Sequence, residues 1–335
     1  MWVTSSTESN LQPTHVALGN FDGIHLGHRA VIEALFIEVE SPACSVQAPL
    51  ELQSSSHDAA LLPRLSAPTT CYPTVVSFNP HPHAFFSGQP KPLLTVLSEK
   101  VAQLERLGIA QLVLLPFNRE LADLLPEDFV EQVLVQQLKA QKVSVGFDFC
   151  FGRDRSGTAA DLQAIAARYG IPVLIAPPQM VDGERISSSE IRLALAQGDP
   201  QRAQRLLGRP YSLSGTVAQG QQLGRTLGFP TANLSVAEEK FIPLRGVYSV
   251  WVESALFPTP QLGVMNIGLR PTVSGSRETI EVHLLDWAGD LYGHTLTVHL
   301  HRFLRPEQKF ASLDALKAQI GQDCKTARAQ LTELT

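Results

Sequence analysis

The chain has 335 residues, of which 44% are hydrophobic and 18% charged, and its formal net charge is −5. This composition is typical of an ordinary globular protein with room for two cores, and the charge argues against a broad cationic surface for nucleic acid or anionic membranes. The four cysteines form no CxxC pair, no signal-like segment opens the chain, and no apolar run is long enough to span a bilayer. We therefore expect a cytoplasmic protein with no membrane or nucleic-acid partner, in which any anionic ligand is bound by local groups. An oligomer stays open but is not indicated.

The first predicted element is a strand that ends at Val16–Leu18 and leads into GNFDGIHLGH, residues 19–28. Apolar residues at helical spacing follow between 31 and 39. The glycines allow a close approach of the backbone to a ligand, and His25 and His28 fall on one side of the opening helical turn. Free N–H groups at that turn favour an anion. The stretch predicts a phosphate site with two added imidazole donors.

Strand-like and helix-like segments alternate from residue 14 to residue 186. Ser98 is a candidate helix cap, Pro126 suits a first helical turn, and Thr158 with Asp161 resembles a capping box. Repeated βα units predict a doubly wound parallel sheet, in which ligands bind at the carboxyl ends of the strands. Further strands are expected near 74–78, 112–115, 143–145 and 173–175.

Residues 41–70 interrupt this rhythm. They are rich in Ser, Pro and Ala and lack clear periodicity. We expect a flexible insertion between the first helix and the second strand, and favour a plain insertion over a regulatory segment.

The pattern changes from Tyr211 onwards, where short alternating runs are separated by Gly and Pro turns. Several such strands predict an antiparallel barrel. Ser312 should cap a final amphipathic helix that includes Leu313 and Leu331. A linker at 198–210, with one short helix at 200–207, is expected between the halves. The strand-like runs are 247–252, 262–267, 279–285 and 295–301.

Two features of the second half carry chemistry. Residues 220–233, GQQLGRTLGFPTAN, hold glycines that permit a phosphate-wrapping loop, and Thr231 and Asn233 offer hard oxygen ligands suited to Mg²⁺. Taken alone, the stretch is equally well a surface loop. Glu281 and His283 are two residues apart on a predicted strand and therefore share a side.

Four segments of the first half, in order, resemble the nucleotidylyltransferase superfamily. The form is that of bacterial bifunctional riboflavin kinase/FMN adenylyltransferases (FAD synthetases). The segments are GNFDGIHLGH (19–28), SFNPHP (77–82), GFDFCFG (146–152) and ISSSEIR (186–192). The chain departs from the family at Asn79, Cys150 and Ser189, all in this half. In the second half, residues 220–233 are similar to the GRxLGFPTAN element of riboflavin kinases, and 246–248, 266–272 and 281–283 recur there.

The resemblance implies an α/β nucleotidylyltransferase domain at 1–197, the linker at 198–210, and a β-barrel riboflavin kinase domain with a C-terminal helix at 211–335. The second domain would phosphorylate riboflavin to FMN with ATP and Mg²⁺. The first would transfer AMP from another ATP to FMN, giving FAD and pyrophosphate.

Site residues follow from the matched motifs and their chemistry. His25, His28 and Arg192 would be catalytic in adenylyl transfer, and Glu281 would be the general base of the kinase. Thr231 and Asn233 would bind the metal. The residues expected to hold nucleotide or flavin are Gly19, Phe21, Asp22, Gly23, Phe78, Asp148, Ser187, Ser188, Gly220, Gly224, Arg225, Gly228, Asn266, Arg270 and Arg305.

Two other functions are weighed against this one. A nucleotidylyltransferase for another phosphorylated acceptor would not need the second, PTAN-containing barrel. A non-catalytic flavin- or nucleotide-binding regulator would lack a base and metal ligands, whereas Glu281, Thr231 and Asn233 are present.

Overall fold

The computed structural model of the protein describes residues 1–7, 9–38, 71–219, 224, 227–272 and 275–332. The predicted insertion at 41–70, as well as Gly220 and Arg225, lies outside the described residues. Two compact units make up the chain. One contains 1–21, 27–90 and 101–178, and the other contains 22–26, 91–100 and 179–335. These units interleave in sequence, and the domain boundaries expected at 197 and 211 remain a prediction.

The first unit contains a six-stranded sheet in the order β1-β4-β3-β2-β5-β8, and all its neighbouring strands are parallel. The predicted parallel sheet is confirmed. Two short strands, β6 and β7, form a separate hairpin. The strands are β1 (Trp2–Thr4), β2 (Thr14–Leu18), β3 (Tyr72–Asn79), β4 (Gln111–Pro116), β5 (Ala140–Gly146), β6 (Cys150–Phe151), β7 (Gly157–Thr158) and β8 (Val173–Ala176).

Strand β2 lies inside this sheet, with β3 on one side and β5 on the other. The chain builds outwards from β2 through β3 to β4, then returns to add β5 and β8 on the opposite side. The carboxyl ends of β2 and β5 therefore form a topological switch point, where open parallel sheets bind ligands. The apolar run Val16–Leu18 is buried, as expected of a strand covered on both faces.

Helices connect the strands of the N-terminal half. Pro126 occupies the first turn of its helix, and Thr158 and Asp161 form the predicted capping box. The predicted cap at Ser98 is wrong, because the helix begins one residue earlier, at Leu97. The helices are α1 (Leu26–Glu33), α2 (Pro82–Ser87), α3 (Leu97–Arg106), α4 (Arg119–Ala122), α5 (Pro126–Asp128) and α6 (Ala159–Ala167); Ala34–Phe36 and Arg153–Arg155 are 3-10 turns, and Phe129–Gln137 is a π-helix.

The second unit contains a closed antiparallel barrel in the order β11-β12-β15-β14-β13-β16, as the alternating runs predicted. A hairpin and two helices precede the barrel, and one long helix follows it. These elements are β9 (Met180–Val181), β10 (Glu184–Arg185), α7 (Ser188–Ala196), α8 (Pro200–Leu207), β11 (Ser212–Ala218), β12 (Ala232–Val236), β13 (Gly246–Glu253), β14 (Gln261–Thr272), β15 (Gly275–Leu284), β16 (Thr295–Arg305) and α9 (Leu313–Thr332).

The C-terminal helix α9 begins as predicted, since the amide of Ala315 donates to the hydroxyl of Ser312 at 3.1 Å. Its buried face differs from the expected one. Ala327 and Leu331 pack into an apolar cluster with Val247 of the barrel, whereas Leu313 is 62% exposed. Leu313 lies in the first turn, ahead of the part of the helix that is packed. Within the described residues, no helix combines the length and apolar character needed to cross a membrane.

Candidate active sites

Three predicted site residues form one row across the barrel wall. Asn233 of β12 is paired with Glu281 of β15, and Glu281 is paired with Asn266 of β14. Directly opposed residues of neighbouring strands project from the same face. Ile280 and Val282 belong to the barrel core, so alternation places the half-buried Glu281 on the outer face. The register thus brings a carboxylate between two amides.

The loop that enters β12 is tied to the strand that carries Glu281. Nδ1 of His283 lies 2.8 Å from the carbonyl oxygen of Pro230, and the rings of His283 and Phe229 meet edge to face at 5.5 Å. Because a carbonyl only accepts, Nδ1 carries the proton in this contact. His283 therefore fixes the backbone immediately before Thr231.

Gly224 is required by the close packing of the same loop. A Cβ atom at this position would lie 2.4 Å from the carbonyl oxygen of Phe229 and 3.1 Å from Oγ1 of Thr231. The Phe229 amide also donates to the Gly224 carbonyl at 2.8 Å. Any larger residue at 224 would displace the segment that leads to Thr231 and Asn233.

A carboxylate that sequence reasoning missed borders the row. A Cβ atom on Gly268 would lie 2.5 Å from Oε1 of Glu307 and 3.1 Å from Nδ2 of Asn266. The glycine therefore leaves room for the Glu307 carboxylate close to Asn266. Glu307 lies two residues after Arg305, which was predicted to bind nucleotide or flavin, and this closeness in sequence could have indicated it.

Arg305 already has a carboxylate partner. Its Nε lies 3.1 Å from each carboxylate oxygen of Asp323, and its Nη2 lies 2.8 Å from Oδ2. Asp323 is buried on α9, and the Phe310 ring lies 5.7 Å from the guanidinium. Arg305 thus fastens α9 to the barrel, and its role toward nucleotide or flavin remains a prediction. The side chain of Arg270 lies outside the described residues.

In the first unit, several predicted residues follow the carboxyl ends of neighbouring strands. The Gly19 amide donates to the Val76 carbonyl at 3.1 Å, which joins the loop after β2 to β3. Phe21 is buried with a φ of +49°, and its ring lies 5.3 Å from that of His28. These contacts hold the start of the loop and the first turn of α1 in one arrangement.

Phe78 is near the end of β3 and Asp148 follows β5, the two strands that flank β2 in that sheet. Asp148 is exposed two residues after β5, where the Phe147 amide donates to the Ala176 carbonyl at 3.0 Å. Phe78 is half-buried, and its ring meets Phe117 at 5.7 Å. Both residues therefore stand at the sheet edge where ligands are expected.

In the second unit, Arg192 forms a hub with Asp22. Its guanidinium donates to Oδ2 of Asp22, to the Pro92 carbonyl at 3.0 Å and to the Ser188 carbonyl at 3.2 Å. The other carboxylate oxygen of Asp22 accepts the Thr95 amide at 3.1 Å. Both ion-pair partners are largely buried. The pair joins helix α7 to the loop, and the phosphate role of Arg192 stays a prediction.

The two serines predicted as donors also have partners within the protein. The Ser187 hydroxyl caps α7 by accepting the Glu190 amide at 3.2 Å. The Ser188 hydroxyl donates to the Asp22 carbonyl at 2.8 Å. Their contacts with a nucleotide remain a prediction.

His25 is buried and uncharged at neutral pH. Burial, together with a smaller effect of the positive charge of Arg209, lowers its pKa to about 4. Arg209 donates to the carbonyls of Gly23 and Ile24, at 2.6 Å and 2.9 Å. Sequence reasoning missed Arg209, because nothing in its neighbourhood indicates a partner 185 residues away.

Comparisons with known proteins cover nearly the whole chain. A family model described as FAD synthetase matches residues 7–46 and 62–190, and one described as riboflavin kinase matches 207–331. A bifunctional riboflavin kinase/FMN adenylyltransferase of Pseudomonas fluorescens is 40% identical over 330 residues, which are 96% of this chain and 95% of the relative. The protein of the same description from Escherichia coli K12 is 39% identical, over 93% of this chain and 91% of the relative.

A solved structure has the same architecture. The crystal structure of a Streptococcus pneumoniae protein described as a macrolide-efflux protein matches 97% of this chain and 98% of its own, with a TM-score of 0.78 and 28% identity.

Proposed function

The chain belongs to the bifunctional riboflavin kinase/FMN adenylyltransferase family, and we propose that the barrel carries its kinase site and the loop at 19–28 its adenylyltransferase site. Its function is FAD biosynthesis. Riboflavin is phosphorylated by ATP to FMN, and FMN then receives AMP from a second ATP, with release of pyrophosphate.

The row Asn233–Glu281–Asn266 is the observation that carries the kinase assignment. Phosphoryl transfer needs an aligned hydroxyl and stabilised phosphate charge rather than covalent help from the protein. Glu281 takes the proton from the primary hydroxyl of the ribityl chain as that oxygen attacks the γ-phosphorus of ATP, and ADP leaves as the bond between this phosphorus and the bridging oxygen breaks. Asn233 and Asn266 flank this carboxylate in the strand register, and Glu307 lies close to Asn266 beside Gly268.

Thr231 and Asn233 fit Mg²⁺ by their donor chemistry. Each supplies a hard oxygen, and the packing of Gly224 against Phe229 and Thr231 holds the loop that bears them. Mg²⁺ commonly uses one or two protein oxygens and fills its remaining positions with water and phosphate. When bound, the ion supplies neutralisation of phosphate charge. The side chains of Thr231 and Asn233 would hold the ion.

In the adenylyltransferase half, the protein positions ATP and stabilises charge on its phosphates. His25 is neutral, so its ring donates through one N–H only, and His28 supplies a second imidazole one helical turn on. Arg192 shares its guanidinium between Asp22 and the α-phosphate region. Asp148 and Phe78, at the carboxyl-end edge of the parallel sheet, are assigned to the nucleotide and to the flavin respectively.

A product assay with riboflavin, ATP and Mg²⁺ tests this function. We expect FMN to appear first and FAD to follow, and supplied FMN should yield FAD without riboflavin. An enzyme for another phosphorylated acceptor would make no flavin nucleotide. A regulator would bind flavin without turnover. Either outcome contradicts the proposal.

A further inference from the structure

The backbone immediately before His25 adopts conformations that residues with side chains avoid. Gly23 has a φ of +94° and Ile24 a φ of +42°. A positive φ is a genuine outlier for a β-branched residue such as Ile24. Such conformations persist only where the surrounding structure holds them in place. The groups that hold Gly23 and Ile24 therefore determine where the His25 ring stands.

Apolar side chains confine one side of this segment. A Cβ atom on Gly23 would lie 3.1 Å from Cδ1 of Leu94 and 3.7 Å from Cδ2 of Leu207. Both leucines are fully buried. This wall restricts the movement of Gly23 but makes no directional contact with its peptide groups, so it does not by itself fix the orientation of the carbonyls.

Arg209 supplies the directional contacts. Helix α8 ends at Leu207, and the following Gly208, with a φ of +72°, forms the left-handed cap that turns the chain out of the helix. From there Nη2 of Arg209 donates to the Gly23 carbonyl at 2.6 Å, and Nη1 donates to the Ile24 carbonyl at 2.9 Å. One planar guanidinium thus binds two consecutive carbonyls, which a lysine ammonium cannot reproduce with the same geometry.

We infer that Arg209 is a positioning residue for adenylyl transfer, because it holds the two peptide groups that precede His25. The inference rests on the proposed role of the 19–28 loop in that reaction. In this role Arg209 acts through the backbone that precedes His25 and through the His25 ring. Its guanidinium also adds a positive charge near the buried imidazole, in keeping with an uncharged ring at neutral pH.

The test compares Arg209→Met, Arg209→Lys and the control Arg205→Met in the full chain. Arg205 lies on α8, is half exposed and pairs with the exposed Asp182 at 3.4 Å. With supplied FMN, we expect kcat for FAD formation to fall about 100-fold in Arg209→Met, since small misplacements in a site cost this much. KM for FMN and the rate of FMN formation from riboflavin should stay within about twofold of the parent.

Two further readouts separate positioning from general support of the fold. Arg209→Lys should recover part of kcat, because it keeps the charge and one carbonyl contact. The pKa of His25, followed by NMR of the ring protons, should rise in Arg209→Met and stay unchanged in Arg205→Met. A normal kcat in Arg209→Met overturns the inference. Equal loss of both activities in both Arg209 variants also overturns it.

Failure of this inference is distinguishable from failure of the proposed function. If His28→Ala makes FAD normally, the loop is not the adenylyltransferase site, and both fall. If His28→Ala is inactive while Arg209→Met remains fully active, the loop keeps its role and only the inference about Arg209 is wrong.

Discussion

Asn233 and Glu281 are paired directly across β12 and β15, although 48 positions separate them along the chain. The pairing places Asn233, whose side-chain oxygen is a proposed metal ligand, next to the Glu281 carboxylate on the outer face of the barrel. Asn266 completes the row from the other side of Glu281. The proposed base and the proposed metal ligand need to be this close, because proton removal and neutralisation of phosphate charge serve the same transfer step.

Replacing Glu281 should separate the two activities. We expect Glu281→Ala to lower FMN formation from riboflavin by at least about 100-fold, the range of a lost general base. FAD formation from supplied FMN should be unchanged. Glu278→Ala is the control, since Glu278 is exposed on the same strand and pairs with Arg245 at 3.2 Å. Equal loss of both activities would contradict the two-site assignment.

Removing one oxygen from the proposed metal pair should weaken Mg²⁺ binding. Thr231→Val keeps the shape of the side chain but loses the hydroxyl. The Mg²⁺ concentration for half-maximal kinase rate should rise about tenfold, as is usual when a metal site loses a supporting group. Thr295→Val, at an exposed position of β16, serves as the control. An unchanged Mg²⁺ dependence would remove Thr231 from the metal site.

The His28 ring should matter only for the second reaction. His28→Ala removes a proposed donor to the phosphates of ATP, so FAD formation from supplied FMN should fall about 100-fold or more. FMN formation from riboflavin should persist at the parental rate. The exposed His294 provides the control substitution, His294→Ala. Normal FAD output from His28→Ala would refute the role of the loop.

Acid should destabilise the protein through His25. Burial holds the pKa of His25 at about 4, below the ordinary value of 6.5 that applies when the chain unfolds. Between pH 6.5 and pH 4 the unfolded chain therefore binds a proton that the folded chain does not. The free energy of unfolding consequently decreases as the pH is lowered through this range. From pH 7.5 to pH 5, His25 should contribute a loss of about 2 kcal/mol.

Urea unfolding of the parent and of His25→Gln at the two pH values measures this contribution. The variant lacks the titrating group, so its free energy of unfolding should decrease less than that of the parent between pH 7.5 and pH 5. Equal decreases in the two proteins would show that His25 titrates normally in the folded state.

Breaking the buried ion pair of Asp22 should cost stability. Asp22→Asn leaves the Arg192 guanidinium without its carboxylate, and removal of one partner from a buried pair typically costs about 3 kcal/mol or more. Asp123→Asn is the matched control, because Asp123 pairs with the highly exposed Arg119 and should cost less than about 1 kcal/mol. Similar urea midpoints for both variants would contradict the structural role of the Asp22–Arg192 pair.

Local sequence patterns determined the fold class. The apolar run Val16–Leu18 predicted a buried strand, Thr158 with Asp161 predicted a capped helix start, and alternating runs after Tyr211 predicted the barrel. Each of these features depends on residues a few positions apart, so the sequence displays it directly. The errors were also local. Ser98 was predicted to cap a helix that in fact begins one residue earlier, at Leu97. Leu313 was predicted on the buried face of α9 but precedes the packed part of that helix.

The sequence also indicated that Glu281 and His283 lie on the same side of their strand, because side chains alternate along a strand. It could not show that Asn233 and Asn266 flank Glu281, since that depends on the register of three strands. Nor could it pair Asp22 with Arg192 or Arg209 with Ile24, across 170 and 185 positions. Those partners follow from how helices α7 and α8 pack against the loop. Periodicity along a chain specifies the face of each element, whereas only tertiary packing decides what that face meets.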